Sequence, residues 1–259
     1  MKGKILKKGI ILLLITVIYL GCGGKQPDPN WTAEEYFRFA KEKYDHEDYL
    51  EAASDFTIVI LRFAGSAVAD SAQYYIGCSH FYMEEYIISA AEFEKLINRM
   101  TQSPLVPDAQ YMLAESYYQM SPRASLDQEY TIKALREYQT FVEEYPLHKQ
   151  RTEAEKKLAE LREKLAYKQW LNAELYRKMR EYSSSLIYYD VIINQYYDTD
   201  YAEKALFGKT LVYMDMEDYQ KAREQILFFK DKFPGSELRE SAEKNLQKVN
   251  EQLEQQNKK

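Results

Sequence analysis

An eight-residue pattern occurs four times in the chain: YLEAASDF at 49–56, YIISAAEF at 86–93, YSSSLIYY at 182–189 and YQKAREQI at 219–226. Each form opens with tyrosine, has a small residue three positions later and has an aromatic or apolar residue four positions beyond that. The small residues are Ala52, Ser89, Ser185 and Ala222, and the larger ones are Phe56, Phe93, Tyr189 and Ile226. Spacings of three and four place these side chains on one face of a helix. The stretch therefore predicts a recurring amphipathic helix.

A second set of small residues lies twelve positions before the first, at Ala40, Gly77, Ala173 and Thr210. Ala40, Gly77 and Ala114 are 37 residues apart, as are Ala173 and Thr210. From Ala114 to the matching Ala134 the spacing is 20, which requires an insertion of eight residues. A period of this length, built as helix, turn and helix, resembles the tetratricopeptide repeat. Because one helix pair cannot bury its own apolar face, the pairs must stack. The predicted fold is all-α: a right-handed α-solenoid of five tetratricopeptide-like helix pairs with a C-terminal capping helix.

Composition and helix breakers agree with this prediction. The chain has 259 residues, of which only 9 are Gly and 7 are Pro. Pro146 and Pro234 follow predicted helix ends, and Ser121-Pro122 breaks a helix inside the insertion, where Asp127 is expected to cap the next one. Residues 151–180 contain neither Gly nor Pro, which predicts one helix of roughly 45 Å, longer than a repeat requires.

The first 22 residues have the order of a bacterial lipoprotein signal. Four lysines precede an apolar run of 11 residues from Ile10 to Leu20, and Gly21-Cys22 follows. Such a run measures roughly 16 Å as a helix, which is too short to cross a hydrocarbon core of roughly 30 Å. We expect a signal peptide at 1–21, acylation of Cys22 and a lipidated tether at 22–31. Ordinary secretion with cleavage and an uncleaved anchor remain alternatives.

Charge and motifs restrict the function. The net charge is −6, and loss of residues 1–21 removes four lysines and no acids, leaving −10. An acidic chain is a poor ligand for nucleic acid. The histidines have no metal-ligand spacing, and GKT at 208–210 lacks the earlier glycine of a phosphate-binding loop, because Glu203 stands there. We expect no cofactor and interpret Cys78 as a packing residue. A catalytic glutamate hidden among the acids, as in helical transglycosylases, is left open.

Binding is the remaining class of function. If each first helix begins seven residues before its small residue, its fifth and twelfth positions face the concave side. The fifth positions are Phe37, Tyr74, Tyr111, Trp170 and Phe207, and the twelfth are Tyr44, Phe81, Tyr118, Arg177 and Met214. Aromatic side chains supply the contact area that a peptide groove needs. The same residues would equally serve to pack helices, and this alternative stays open.

In the order of these features the chain resembles the BamD family of outer-membrane β-barrel assembly lipoproteins. The resemblance rests on the cysteine, the five repeats, the insertion with Asp127, the EEYP end and the long helix containing LAYKQWLNAELYRKMREY. It implies a non-catalytic scaffold, lipid-anchored on the periplasmic side of the outer membrane, with repeats one to three at 32–148, repeats four and five at 149–236 and a capping helix at 237–259. Another envelope adaptor, such as one coordinating the Tol-Pal system, is the alternative.

The resemblance also implies partners. The BamA barrel component would bind the C-terminal repeats, where we expect contacts at Trp170, Arg177 and Phe207. Unfolded outer-membrane proteins would bind a peptide groove in the N-terminal repeats, and other assembly-complex lipoproteins complete the set. The expected groove residues are Phe37, Tyr44, Tyr74, Phe81, Tyr111 and Tyr118, with Glu34 and Asp108 as polar neighbours.

Overall fold

The computed structural model describes residues 28–258, and within them the chain forms eleven α-helices and no strand. In chain order these are α1 (Ala33–Asp45), α2 (Tyr49–Arg62), α3 (Ala69–Tyr82), α4 (Tyr86–Arg99), α5 (Val106–Gln119), α6 (Glu129–Glu144), α7 (Arg151–Lys178), α8 (Tyr182–Gln195), α9 (Asp200–Asp215), α10 (Tyr219–Lys232) and α11 (Arg239–Asn257). The predicted all-α class is therefore confirmed.

The helices form five consecutive pairs, α1/α2 to α9/α10, and α11 covers the last pair. Every helix packs on the next one along the chain, and the first helices of neighbouring pairs also touch, α3 against α5 and α7 against α9. The buried apolar residues lie between successive pairs as well as within them, so that the core runs along the array. This arrangement is the predicted helical-repeat solenoid.

Small residues stand where two helices of a pair approach. Ala40, Ala114, Ala173 and Thr210 are fully buried. A Cβ atom added to Gly77 would lie 2.7 Å from the ring of Phe93 on the partner helix. The phenylalanine ring therefore fills the space that a side chain at position 77 would take, which explains the small residue at this point of the repeat.

The turns inside the pairs share one backbone feature. Glu47, Glu84, Arg180 and Glu217 have positive φ values of 67°, 61°, 63° and 58°. Each lies two residues before the tyrosine that begins the second helix. The third pair has no such residue because the eight-residue insertion replaces its turn. The left-handed conformation reverses the chain within three residues, at a conformational cost to a non-glycine residue.

The overlong helix α7 contains 28 residues, about 42 Å, as the absence of breakers predicted. The middle of α7 forms hydrogen bonds with the eight-residue insertion of the third repeat. Lys164 Nζ donates to Ser121 Oγ at 2.9 Å, and Lys168 Nζ donates to the carbonyl oxygen of Ser125 at 3.1 Å. Asp127 accepts a bond from the amide of Glu129 at 2.9 Å, although the N-cap residue itself is Gln128. The long helix α7 and the insertion in the third repeat therefore contact each other.

The N-terminal expectations fall partly outside the described residues. The predicted signal peptide and Cys22 lie outside 28–258, as does most of the predicted tether. The first described helix, α1, has a capping box in which Thr32 and Glu35 bond reciprocally. None of the helices in the described part of the chain is long and apolar enough to cross a membrane. The GKT tripeptide lies in the middle of α9, with Gly208 buried.

Candidate functional site

The predicted groove residues lie at the boundary between core and solvent. Phe37, Tyr44, Tyr74, Phe81 and Tyr118 are half-buried. Tyr111 is buried, with 7% of its surface exposed. Five of the six therefore present part of a ring to the surface, whereas Tyr111 is a core residue.

Three of the groove residues meet at a tyrosine that the sequence analysis did not select. The ring centroid of Tyr75 lies 5.9 Å from Phe37, 4.9 Å from Tyr44 and 5.9 Å from Tyr74. Lys41 Nζ lies 5.1 Å from the same centroid, close enough for a cation–π interaction. The first two repeats thus carry one continuous aromatic cluster, which we call the Tyr75 cluster. Phe81 lies beside it and packs on Tyr86 at 5.3 Å.

The other two groove residues, Tyr111 and Tyr118, belong to a second cluster in the third repeat. Their ring centroids lie 6.0 and 6.2 Å from Tyr138. The hydroxyl of Tyr118 donates to Glu160 Oε2 at 2.9 Å, and Lys157 Nζ lies 4.5 Å from the Tyr118 ring centroid. Glu160 and Lys157 are both on α7, so the long helix covers part of the surface predicted as groove.

Cys78 is buried beneath Tyr44 and Tyr74 of the Tyr75 cluster, with 5% of its surface exposed. Burial raises the pKa of its thiol to about 12. Burial likewise raises the pKa of Tyr44 and of Tyr74 above the usual tyrosine value. A thiol with so high a pKa is protonated at neutral pH and is a poor nucleophile. This environment agrees with the interpretation of Cys78 as a packing residue.

Two acid–phenol pairs, one buried and one partly buried, were missed by the sequence analysis. The hydroxyl of Tyr138 donates to Glu115 and that of Tyr189 donates to Glu174. Both glutamates occupy the ninth position of a first helix, and both tyrosines occupy the same core position of the second helix. In the other three repeats these positions hold Lys41 with Phe56, Cys78 with Phe93 and Leu211 with Ile226. Tyrosine thus occurs at this core position only where glutamate faces it.

Each of these glutamates is also bonded to a cation. Lys157 Nζ lies 2.5 Å from Glu115 Oε1, and Arg177 Nη1 lies 3.9 Å from Glu174 Oε2. Arg177 also donates from Nε to Asp215 Oδ2 at 2.8 Å. These ion pairs join the third repeat to α7 and α7 to α9. The centre of the array is therefore held by charges that neutralise one another.

The three predicted partner-contact residues lie in separate environments on α7 and α9. Trp170 packs against both Tyr167 and Tyr201, at centroid distances of 6.1 and 5.9 Å, and these two tyrosine rings stack on each other at 5.3 Å. Phe207 packs on Phe229 at 5.5 Å. Arg177 is half-buried in its ion pairs. Trp170 and Phe207 are half-buried too, so part of each ring faces solvent.

The two polar neighbours proposed for the groove differ. Glu34 is exposed. Asp108 is engaged, with His148 Nε2 at 3.5 Å and Lys149 Nζ at 3.6 Å from its Oδ1 atom. Of these two residues, Asp108 forms ion pairs among the described residues and Glu34 does not.

The family of the chain follows from comparison with known proteins. A family model described as "YfiO: Outer membrane lipoprotein" matches residues 29–226, which span the five helix pairs up to the middle of α10. No match was found among curated proteins.

Solved structures with a related fold are tetratricopeptide-repeat proteins. One from Bacteroides fragilis is 10% identical, with 86% of each chain covered and a TM-score of 0.41. YrrB, described as a TPR protein with an unusual peptide-binding site, is 20% identical, with 82% of this chain and 92% of that chain covered and a TM-score of 0.39. One from Parabacteroides merdae is 12% identical, with 85% and 73% covered and a TM-score of 0.37. TM-scores this low carry no argument about function. The family model matches more than half of the length of this chain, and this match alone shows that the chain belongs to the YfiO family of outer membrane lipoproteins.

Proposed function

We propose that this protein is a non-catalytic scaffold of the outer-membrane β-barrel assembly machinery, anchored by lipid at Cys22 on the periplasmic side. The observation that carries the proposal is the match of an outer membrane lipoprotein family over residues 29–226 of a helical-repeat array. Arrays of this kind present a long surface on which extended peptides and folded domains bind. The scaffold would hold the BamA component, further lipoproteins of the complex and unfolded substrates close to one another.

The Tyr75 cluster is the surface that we assign to unfolded substrates. Phe37, Tyr44 and Tyr74 contact one ring, and each leaves part of its own ring exposed. An aromatic side chain of an extended peptide would stack between such rings, gaining roughly 0.5 to 1.5 kcal/mol per aromatic pair beyond area burial. Phe81 would extend this surface. Tyr111 would support it from the core, and Tyr118 would contribute its ring edge only, because α7 lies over it.

The C-terminal repeats are the surface that we assign to BamA. Trp170 and Phe207 each leave part of an aromatic ring in solvent on first helices of repeats four and five. Aromatic side chains are enriched among the residues that dominate protein–protein binding. Arg177 would act by holding α7 against α9 through Asp215, and so would keep the two rings in a fixed relation.

Affinity purification of the intact chain from envelope extracts tests the scaffold proposal. We expect BamA and its companion lipoproteins to be recovered with it. Recovery of Tol-Pal components in their place would identify the alternative adaptor. Substitution of a single glutamate could also abolish function while the recovered partners stay the same. That result would indicate an enzyme.

A further inference from the structure

The loop that joins the first helix pair to the second differs from the equivalent loops in the side chains that it exposes. We count this loop from residue 61 to residue 68, LRFAGSAV, so that it includes the last two residues of α2, and Ala64, Gly65 and Ala67 in it are exposed. None of these three has a polar side-chain group. The five residues 64–68, AGSAV, include one polar side chain, Ser66, whose hydroxyl oxygen is buried. The equivalent five residues after the later pairs are TQSPL, PLHKQ, YDTDY and PGSEL, and each includes at least two polar or charged side chains. The exposed tip of the first loop can therefore leave water without desolvating a charged or hydrogen-bonding side chain.

This loop lies beside the segment that leads to Cys22. Arg62 Nη2 donates a hydrogen bond to the carbonyl oxygen of Pro29 at 3.0 Å. From Cys22 to Asp28 the chain advances six residues, which span at most about 20 Å when fully extended. Acyl chains on Cys22 would consequently keep Asp28, the neighbour of the Pro29 that Arg62 contacts, within about 20 Å of the bilayer surface. The later loops have no such link to the N-terminal segment in the described part of the chain.

The residues around the loop are those that favour the boundary between lipid and water. Leu61 is 76% exposed. The Arg62 guanidinium lies 5.5 Å from the ring centroid of Tyr36, whose ring packs on Trp31 at 5.7 Å. Trp31 is half-buried, and tryptophan is enriched at membrane interfaces, whereas Tyr36 is buried and supports Trp31 and Arg62 from the core. Arginine can bury its stem at such an interface while its charged end reaches the headgroups.

We propose that residues 61–68 form a membrane-contacting loop, which places Leu61 and the tip 64–67 at the headgroup boundary of a lipid bilayer. Arg62 then faces the lipid phosphates. The inference rests on the proposed lipid anchor at Cys22 and goes beyond it, because an anchored protein need not touch the bilayer anywhere else. Contact at this loop fixes the orientation of the first two repeats, and of the Tyr75 cluster that they carry, relative to the membrane.

Two glycines provide a matched test. Gly65 and Gly235 occupy the same place in the first and last loops, and a Cβ atom added to either meets nothing within 4 Å. Gly65→Cys and Gly235→Cys, in the full acylated protein, each supply an accessible thiol for an environment-sensitive fluorophore. Cys78 is buried and unreactive by comparison. Each labelled protein is placed in vesicles of phosphatidylcholine and phosphatidylethanolamine and is quenched in turn by iodide in the water and by a bromine-labelled lipid.

We expect the label at position 65 to be blue-shifted, quenched by the brominated lipid and protected from iodide, and the label at 235 to behave in the opposite way. Adding Leu61→Glu should restore iodide quenching at position 65 without changing the melting temperature, since Leu61 is exposed. Iodide quenching of both labels, lipid quenching of both, or protection of position 65 from both quenchers would overturn the proposal. Flotation of the vesicles is read separately: loss of the protein from them refutes the anchor, whereas retained protein with a water-exposed loop refutes only the contact.

Discussion

The hydroxyl of Ser185 donates a hydrogen bond to the carbonyl oxygen of Ala173, 2.9 Å away. The twelve-residue spacing of the repeat is therefore a direct contact between the second helix of a pair and the first. Ser89 repeats the contact with the carbonyl oxygen of Gly77 at 3.0 Å. Where alanine stands instead of serine, at Ala52 and Ala222, the position is equally buried. Size is thus the general requirement, and the hydrogen bond is an addition to it.

Enlarging Ser185 should separate the fourth helix pair. Ser185→Leu is expected to destabilise the protein by about 1–3 kcal/mol through overpacking. Ser185→Ala should cost only about 0.5–1.5 kcal/mol for the lost hydrogen bond. Ser183→Leu, on the exposed side of the same helix, is the control and should have little effect. Urea unfolding followed by circular dichroism measures all three. Equal stability of the two leucine variants would contradict this account of the repeat.

The left-handed turns predict an unusual response at Glu84. Its φ of 61° lies in a region that β-branched residues avoid. Glu84→Val should therefore lose about 1–2 kcal/mol, while Glu84→Gly, which loses the same carboxylate, should be neutral or stabilising. Thermal melts of the two variants provide the comparison. A valine variant as stable as the glycine variant would show that the turn adopts another conformation.

The stability of the fourth repeat should depend on pH through Asp198. Arg162 of α7 donates to both carboxylate oxygens of Asp198, at 2.8 Å from Nε and 2.6 Å from Nη2, and these bonds lower the pKa of Asp198. A depressed folded-state pKa stabilises the fold above the ordinary aspartate value and loses that effect as pH falls through the lowered pKa.

Asp198→Asn should therefore reduce stability at neutral pH, and the difference from wild type should shrink in acid. Because the pair is partly exposed, the loss at neutral pH should be about 0.2–1 kcal/mol. Melting temperatures of both proteins across the acid range test this. A difference that grew as the pH fell would have the wrong sign.

The proposed lipid anchor makes a prediction at Cys22, which lies outside the described residues. Cys22→Ala should abolish acylation and release the protein from the outer-membrane fraction, because several acyl chains are needed for stable attachment. Cys78→Ala, at the other cysteine, should remain with the membrane. Mass spectrometry of the mature N-terminus, together with fractionation, decides the matter. An unmodified wild-type N-terminus would refute the anchor.

The repeat was predictable because burial constrains it strongly. Small residues recur at the position of Ala40 and large apolar ones at the position of Phe56 because both positions are fully buried between helices. Helix α7 was predictable because nothing in its sequence breaks a helix. The aromatic clusters were harder to predict from the sequence. Tyr75 is not at a selected repeat position, and its role depends on rings from three different turns of helix. A single sequence does not show such contacts.

The buried position of Tyr111 has a specific cause. It shares its repeat position with Phe37 and Tyr74, but it belongs to the same core cluster as Ala154 and Leu161 of α7. The N-terminal half of the long helix thus covers the third repeat. The insertion separates Glu115 from Tyr138 by eight residues more than the equivalent Glu174 and Tyr189, so the two acid–phenol pairs do not share one sequence spacing. The joint presence of glutamate and tyrosine in these two repeats was the available signal.

We assign the two ends of the array to different partners. Phe37 and Tyr74 at one end, and Trp170 and Phe207 at the other, share one repeat position and are all half-buried. Alanine pairs at the two ends are therefore matched in chemistry and burial, and melting temperatures verify that both proteins are folded.

Co-purification of BamA with the two double variants is the most direct measurement. We expect the double variant Trp170→Ala, Phe207→Ala to lose most of the BamA that the wild type recovers. The double variant Phe37→Ala, Tyr74→Ala should retain BamA and lose affinity for an unfolded substrate peptide. Retention of BamA by the first variant, or its loss from the second, would contradict the assignment of the two surfaces.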